Sequence, residues 1–239
     1  MQITEIYRSL QGESSFAGLP CVFVRLTGCN LRCSWCDSEY TFTGGRRMSA
    51  EEIEAEVHRL APPSSAGKDV AGGKLVEITG GEPMLQEREL LPFMQRLVDQ
   101  GYTVLLETSG ERPLANVPKA VHKIVDVKCP HSGAAATFHL ENLAALSERD
   151  ELKFVISDRA DYEFARKFVR EHVVRQHQPR VKEVLFSPAF RKDARGQRSA
   201  EQCLLDPQVL AQWMLEDGLE ARLGLQLHKF IWAPETKGV

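Results

Sequence analysis

Three cysteines stand within eight residues, in Cys29-Asn30-Leu31-Arg32-Cys33-Ser34-Trp35-Cys36. The other three, Cys21, Cys129 and Cys203, are scattered along the 239-residue chain. A tight thiol group in a chain of this length reads as metal binding or catalysis rather than as part of a disulfide framework. Thiolates are the usual ligands of iron–sulfur clusters, and a 4Fe–4S cluster ordinarily takes four. Three thiolates leave one iron without a protein ligand, open to a small molecule that carries an amine and a carboxylate. Zinc is a competing reading, but zinc sites are usually closed by four ligands at paired spacings. The nearest histidine, His58, lies beyond a predicted helix. Chance grouping of core cysteines is the third reading.

The methionine end of S-adenosylmethionine (SAM) carries the amine and carboxylate that an open iron needs. An electron from such a cluster cleaves the adjacent C–S bond and yields a 5′-deoxyadenosyl radical. In that case the cofactors carry the hard chemistry and the protein positions them.

The thiols need a frame, and the pattern around them supplies one. Short apolar, β-branched runs mark strands at Cys21–Thr27, Lys74–Thr79, Tyr102–Glu107, Val121–Val127, Glu151–Ser157, Val181–Ser187 and Glu220–Leu227. They read as strands with both sheet faces buried. Ser49 and Glu52 form a capping box before Ile53, Val57 and Leu60. Met84–Gln100 has helical spacing and stops at Gly101; Asp158–His177 is amphipathic. Asp206-Pro207 supplies a cap and a first-turn proline for a further helix. Ala61–Gly73 is rich in Pro, Ser and Gly and reads as a surface loop. Alternating strands and helices imply a parallel sheet with right-handed crossovers. About six units predict a partial, open (βα)6-type α/β barrel, with a doubly wound sheet as the alternative. A single domain over 1–239 is expected. The cysteine loop follows the first crossover strand, where the loops of such barrels build active sites.

Composition narrows the class. The chain is 43% hydrophobic and 26% charged, enough apolar residue to bury a full core. A net charge of −3 points to neither nucleic acid nor membrane, and no apolar run approaches a membrane span. Met1-Gln2-Ile3-Thr4-Glu5 lacks the basic and apolar regions of a signal peptide. A cytoplasmic location is expected.

Spacings of four and three, with an aromatic before the last cysteine, resemble the signature of the radical SAM superfamily. Ile78-Thr79-Gly80-Gly81-Glu82-Pro83 follows the next predicted strand and resembles the superfamily's Gly-Gly-Glu-Pro segment, which binds the methionine amine. Two glycines let the backbone approach a ligand closely. Glu107-Thr108-Ser109-Gly110 resembles a further SAM-contacting segment. The resemblance implies cluster ligation by Cys29, Cys33 and Cys36. It implies SAM binding by Trp35, Asp37, Gly80, Gly81, Glu82, Ser109 and Lys128.

Residues outside the cysteine loop narrow the family. These are Glu5-Ile6-Tyr7-Arg8-Ser9-Leu10-Gln11-Gly12-Glu13-Ser14, Val24-Arg25-Leu26-Thr27-Gly28, Asp37-Ser38 and Leu225-Gln226-Leu227-His228-Lys229-Phe230. Together they resemble the 7-carboxy-7-deazaguanine synthase family, from residue 2 to about residue 234. That family converts 6-carboxy-5,6,7,8-tetrahydropterin to 7-carboxy-7-deazaguanine with loss of ammonia, in queuosine and 7-deazapurine biosynthesis. It uses SAM, a 4Fe–4S cluster and Mg²⁺. The resemblance implies a substrate-binding N-terminal segment (about 1–20) and substrate contacts from Leu10, Gln11, Gly12, Glu13, Arg25, Thr79, Gln226 and His228. The last two are expected on a final strand. Ser38 is implied as a magnesium ligand. An electron donor such as a flavodoxin or ferredoxin, and a homodimer, are further implications.

Three features depart from the family pattern. Ser14 stands where many members have Gly. Asp126-Val127-Lys128 replaces Ser-Pro-Lys, so only Lys128 carries over. Ile231–Val239 extends past the usual terminus. Cys129 is left without a role. Two other functions remain at this stage: a glycyl-radical activase acting on a protein, and a non-catalytic iron–sulfur or zinc protein.

Overall fold

The computed structural model describes residues 1–61, 74–174, 181–191, 202–232, 236 and 238. Nine strands form one sheet: β1 (Gln2–Leu10), β2 (Pro20–Leu26), β3 (Arg46–Arg47), β4 (Leu75–Gly80), β5 (Thr103–Thr108), β6 (His122–Asp126), β7 (Glu151–Ile156), β8 (Glu183–Pro188) and β9 (Arg222–Leu223). Their order is β3-β1-β2-β4-β5-β6-β7-β8-β9. From β2 to β9 every pairing is parallel, whereas β1 runs antiparallel to β2 and β3 antiparallel to β1. The two outermost strands do not pair, so the barrel is partial and open, as expected.

The two sheet faces bury different chemistry. On the outer face Val22, Val24, Leu26, Val76, Ile78, Val104, Leu106, Leu152, Phe154 and Ile156 belong to the main core. Helices α1 (Ala50–Leu60), α2 (Glu87–Asp99), α3 (Arg159–Phe168) and α4 (Pro207–Glu216) cover it with Val57, Phe93, Tyr162 and Leu210 among others. The inner face is layered. Cys21, Phe23, Leu75, Leu105 and Ile124 form a small apolar floor, plugged by Phe16 and Leu19. One pleat higher, β4, β5, β6 and β7 present Glu77, Glu107, Asp126 and Lys153 toward the open end, as the period of two requires.

Most expected elements appear. The Ser49–Glu52 capping box is present, and Asp206 caps α4 ahead of Pro207. Met84–Gln100 splits into a 3-10 turn (Pro83–Gln86) followed by α2. α3 runs into a π-helical turn, Val169–Val174; the rest of the predicted Asp158–His177 helix, and the predicted loop beyond Ala61, lie outside the described residues.

Three differences have physical causes. First, β1 is a full strand that carries no apolar run, because one face of this edge is polar: Glu5 and Tyr7 turn to Arg25. Second, no α-helix joins β5 to β6 or β6 to β7. Pro113 and Pro118 interrupt the first connection, and the second holds only 3-10 turns. Third, the predicted strand Glu220–Leu227 shrinks to β9. Gln226 therefore sits in a loop, and His228 opens the short helix α5 (His228–Ile231).

Candidate active site

The cysteine loop leaves the end of β2 through Gly28, whose φ of 101° needs glycine. Neighbouring strand-end loops clamp it on two sides. Glu82 N–H donates to Gly28 O at 2.8 Å; Ser34 N–H donates to Ser132 O at 3.0 Å and its Oγ to His131 O at 2.8 Å. Arg32 lies 4.0 Å over the Phe42 ring and donates to Cys29 O at 2.8 Å. Cys29, Cys33 and Cys36 form no disulfide and lie half-buried at the edge of one cleft. Leu31 N–H donates to Cys29 Sγ at 3.4 Å, although burial still pushes that thiol up.

The donor set suits a cluster better than a single ion. Among the described residues, one group of three ligand atoms lies within 4.8 Å of one another: His131, Asp158 and Asp161, not the cysteines. Four sulfurs around one zinc stand about 3.8 Å apart, given Zn–S bonds near 2.3 Å. The three thiols do not all lie within 4.8 Å of one another, a wider spread than one zinc would hold.

Gly80 ends β4 and Gly81 follows it beside this loop. A Cβ on Gly81 would overlap Gly28 O and come within 2.7 Å of Cys29 Cβ. The glycine thus makes room for the cysteine loop. Gly81→Ala should displace that loop and lower iron and sulfide content per chain, with the far-ultraviolet dichroism unchanged. A Gly81→Ala protein with full cluster content would show that the loop yields without cost.

Glu82 alone among the predicted site residues does not border the cleft. It is 1% exposed. Its Oε1 accepts from Met84 N (3.0 Å) and Thr108 Oγ1 (2.7 Å); its Oε2 accepts from Ser109 N (2.8 Å) and Oγ (2.7 Å). A carboxylate has about four lone-pair sites, and all are taken. These bonds fasten the end of β4 to the end of β5.

The N-terminal segment closes the other side. Leu227 N–H donates to Gly12 O at 2.9 Å, and a Cβ on Gly12 would overlap His228 Nδ1. Ser14 adopts φ 59°, a left-handed turn that favours glycine, with its Oγ accepting from Phe16 N–H at 3.1 Å. The Arg25 guanidinium pairs with Glu5 (2.9 Å) and donates to Tyr7 OH (2.7 Å). Lys229 pairs with Asp37 at 2.7 Å, tying α5 to the cysteine loop.

Beneath these residues lies a charged floor that sequence reading missed. Lys153, 3% exposed, reaches Glu13 at 2.8 Å, Asp126 at 3.6 Å and Glu107. Lys128 pairs with Asp126 at 2.8 Å, and Gln226 Nε2 donates to Glu13 at 2.8 Å. Burial alone would raise the Glu13 carboxyl, but Lys153, His228 and Gln226 outweigh it and hold it at about 2. Burial lowers His228. Asp126 Oδ1 and Gln226 Oε1 are buried acceptors with no partner among the described residues.

Apart from Glu82, every predicted site residue borders this cleft: Leu10–Glu13, Arg25, the cysteines, Trp35, Asp37, Ser38, Thr79–Gly81, Ser109, Lys128, Gln226 and His228. Tyr7, Glu77, Glu107, Asp126, Lys153 and Lys229 join them unpredicted. For Glu77, Glu107, Asp126 and Lys153 the available signal was a charge at an alternating position inside a buried strand.

Residues 23–133 match the model of the radical SAM superfamily. A 7-carboxy-7-deazaguanine synthase from Koribacter versatilis is 70% identical over 239 residues, all of both chains. Another, from Chlorobaculum tepidum, is 40% identical over 246 residues, covering 100% of this chain and 97% of that one. The crystal structure of QueE from Escherichia coli shares the fold with a TM-score of 0.67 at 23% identity, over 95% of this chain and 94% of that one. Neither the activase nor the non-catalytic reading is favoured by these relatives. The chain belongs to the radical SAM superfamily and, within it, to the 7-carboxy-7-deazaguanine synthases.

Proposed function

We propose that this chain converts 6-carboxy-5,6,7,8-tetrahydropterin to 7-carboxy-7-deazaguanine with loss of ammonia, in the queuosine and 7-deazapurine pathway. The observation that carries the reading is one cleft in which the cysteine loop faces Leu10–Glu13 and His228. Superfamily membership implies SAM and a 4Fe–4S cluster. Bound together, these supply the radical that begins the reaction.

The chain's own residues hold and orient. Cys29, Cys33 and Cys36 ligate the cluster. Gly80, Gly81, Ser109, Trp35, Asp37 and Lys128 border SAM, with Glu82 fixing Ser109 from behind. Leu10, Gln11, Gly12, Glu13 and Thr79 take the pterin's amide and amine edge; Gln226 and His228 close over it. Glu5 and Tyr7 orient Arg25 toward the substrate carboxylate. The Ser38 hydroxyl lines the cleft, 3.7 Å from Cys36 Sγ. We assign it to Mg²⁺, which keeps few protein ligands and binds substrate directly. The electron comes from a small redox protein such as a flavodoxin or ferredoxin, and the protein is a cytoplasmic homodimer.

Anaerobic incubation of reconstituted protein with SAM, reductant and the carboxytetrahydropterin should yield 7-carboxy-7-deazaguanine, faster with Mg²⁺. SAM cleavage without that product at any magnesium level would leave only the superfamily assignment standing. Arg25→Lys keeps charge but loses the fork. It should raise KM for the pterin roughly ten- to a hundredfold, the loss of a charge-assisted hydrogen bond, while SAM binding is kept.

A further inference from the structure

The floor of the cleft holds more carboxyls than its cations serve. Glu13, Glu77, Glu107 and Asp126 line it, facing Lys153 and Lys128. Lys153 reaches Glu13, Glu107 and Asp126, and Lys128 reaches Asp126. Among the described residues no cation pairs with Glu77, which is 2% exposed. Gln11 Nε2 donates to it, and the Glu107 carboxyl stands beside it on the neighbouring strand, lining the same cleft.

Two carboxyls set side by side in a buried site share a proton, because ionising both there is prohibitive. Glu107 has the lysine, so the proton belongs on Glu77. A neutral Glu77 then satisfies every contact: its O–H donates to the Glu107 carboxylate while its carbonyl accepts from Gln11 Nε2. Gln11 Oε1 in turn accepts from Glu13 N–H. One proton therefore fixes the side chains of Gln11 and Glu107 and the backbone at Glu13.

We propose that Glu77 is a positioning residue held as the neutral acid. It clamps Gln11 and Glu107 in the geometry that receives the substrate, and it lowers the negative charge beneath an anionic ligand. The proposal rests on the pterin reading for its ligand, but the protonation state is a property of the free protein. The groups facing Glu77 agree in sign. Glu107 on β5 and Glu13 on the N-terminal segment both oppose its ionisation, as does burial, the largest cause; Gln11 favours the charged form more weakly. Tyr7 on β1 and Cys21 on β2, two further titratable neighbours, are themselves pushed up by burial and stay neutral, while Lys153 on β7 directs its ion pairs to Glu13, Glu107 and Asp126.

The test uses the cluster-loaded protein and two variants. Glu77→Gln keeps a donor toward Glu107 and an acceptor toward Gln11; Glu77→Leu keeps neither. Infrared difference spectra of parent against Glu77→Gln, without substrate near pH 7, should show a protonated-carboxyl C=O band that the variant lacks. KM for the pterin should rise about tenfold in Glu77→Leu, the equivalent of one hydrogen bond. In Glu77→Gln it should stay within about twofold of the parent, and kcat should change little in either. As pH rises and Glu77 loses its proton, KM should climb in the parent and stay flat in Glu77→Gln. Absence of the band, or a Glu77→Gln variant that behaves like Glu77→Leu, overturns the proposal. A parent with the band but no pterin turnover overturns the functional reading alone.

Discussion

Replacing Cys29, Cys33 or Cys36 with Ala, one at a time, should abolish the 4Fe–4S cluster and SAM cleavage, while Ala at Cys21, Cys129 or Cys203 should leave both. The first three sit together on the loop after β2, at the cleft. The other three are buried as single thiols elsewhere. Burial pushes Cys21 and Cys129 far up, and Cys203 up to about 11, so they stay as thiols and behave as small apolar residues. Deleting one cluster thiolate uncovers a second iron, which no other side chain in the loop replaces. Iron and sulfide assay of anaerobically purified protein, with SAM cleavage to 5′-deoxyadenosine under reductant, reads both effects. A folded Cys203→Ala or Cys129→Ala protein without cluster would overturn the three-thiol assignment.

The cysteine loop and its place after β2 were legible because the pattern is local: three thiols at fixed spacing after a strand. The Ser49 cap and the Gly101 stop were legible for the same reason, since each lies within a few residues of the element it ends. What was missed depends on contacts far apart in the chain. Glu77, Glu107, Asp126 and Lys153 lie in four strands spread over 77 residues of sequence. Each looks like an isolated charge in an apolar run until the sheet pairs them. Their alternation with Val76, Leu106, Val125 and Phe154 distinguishes a polar inner face from an apolar outer one. Reading the runs as continuously apolar hid that distinction. Glu82 illustrates the opposite case. Motif position put it beside SAM, but only the fold shows that Met84, Thr108 and Ser109 take all its acceptor sites. The terminal strand failed because β9 pairs with β8 over two residues only, leaving Gln226 and His228 on a loop and a short helix.

Lys153→Met should destabilise the protein by about 3–5 kcal/mol near pH 7, the typical cost of removing one partner from a buried ion pair. Met is close to Lys in volume and shape, so lost packing accounts for little of this. The cost is electrostatic: Glu13, Glu107 and Asp126 all lose the Lys153 ammonium, and Glu13 is left without a cationic lysine. The pH dependence separates the two causes. In the parent, Glu13 is held at about 2, below its ordinary value of 4.5. Its ionised form stabilises the fold fully above that ordinary value, and the contribution fades as pH falls toward 2. Without Lys153, burial dominates and pushes the same carboxyl up. The variant then gains stability relative to the parent as pH falls and the carboxyls take protons. Urea unfolding of both proteins at about pH 7 and about pH 4 should show the deficit shrinking at the lower pH. A second change, Glu107→Gln, should recover part of the loss in Lys153→Met while costing stability in the parent background, giving a non-additive cycle. An equal deficit at both pH values, with additive effects in the cycle, would mean that Lys153 contributes through packing alone and that the charged floor is not an ion-pair network.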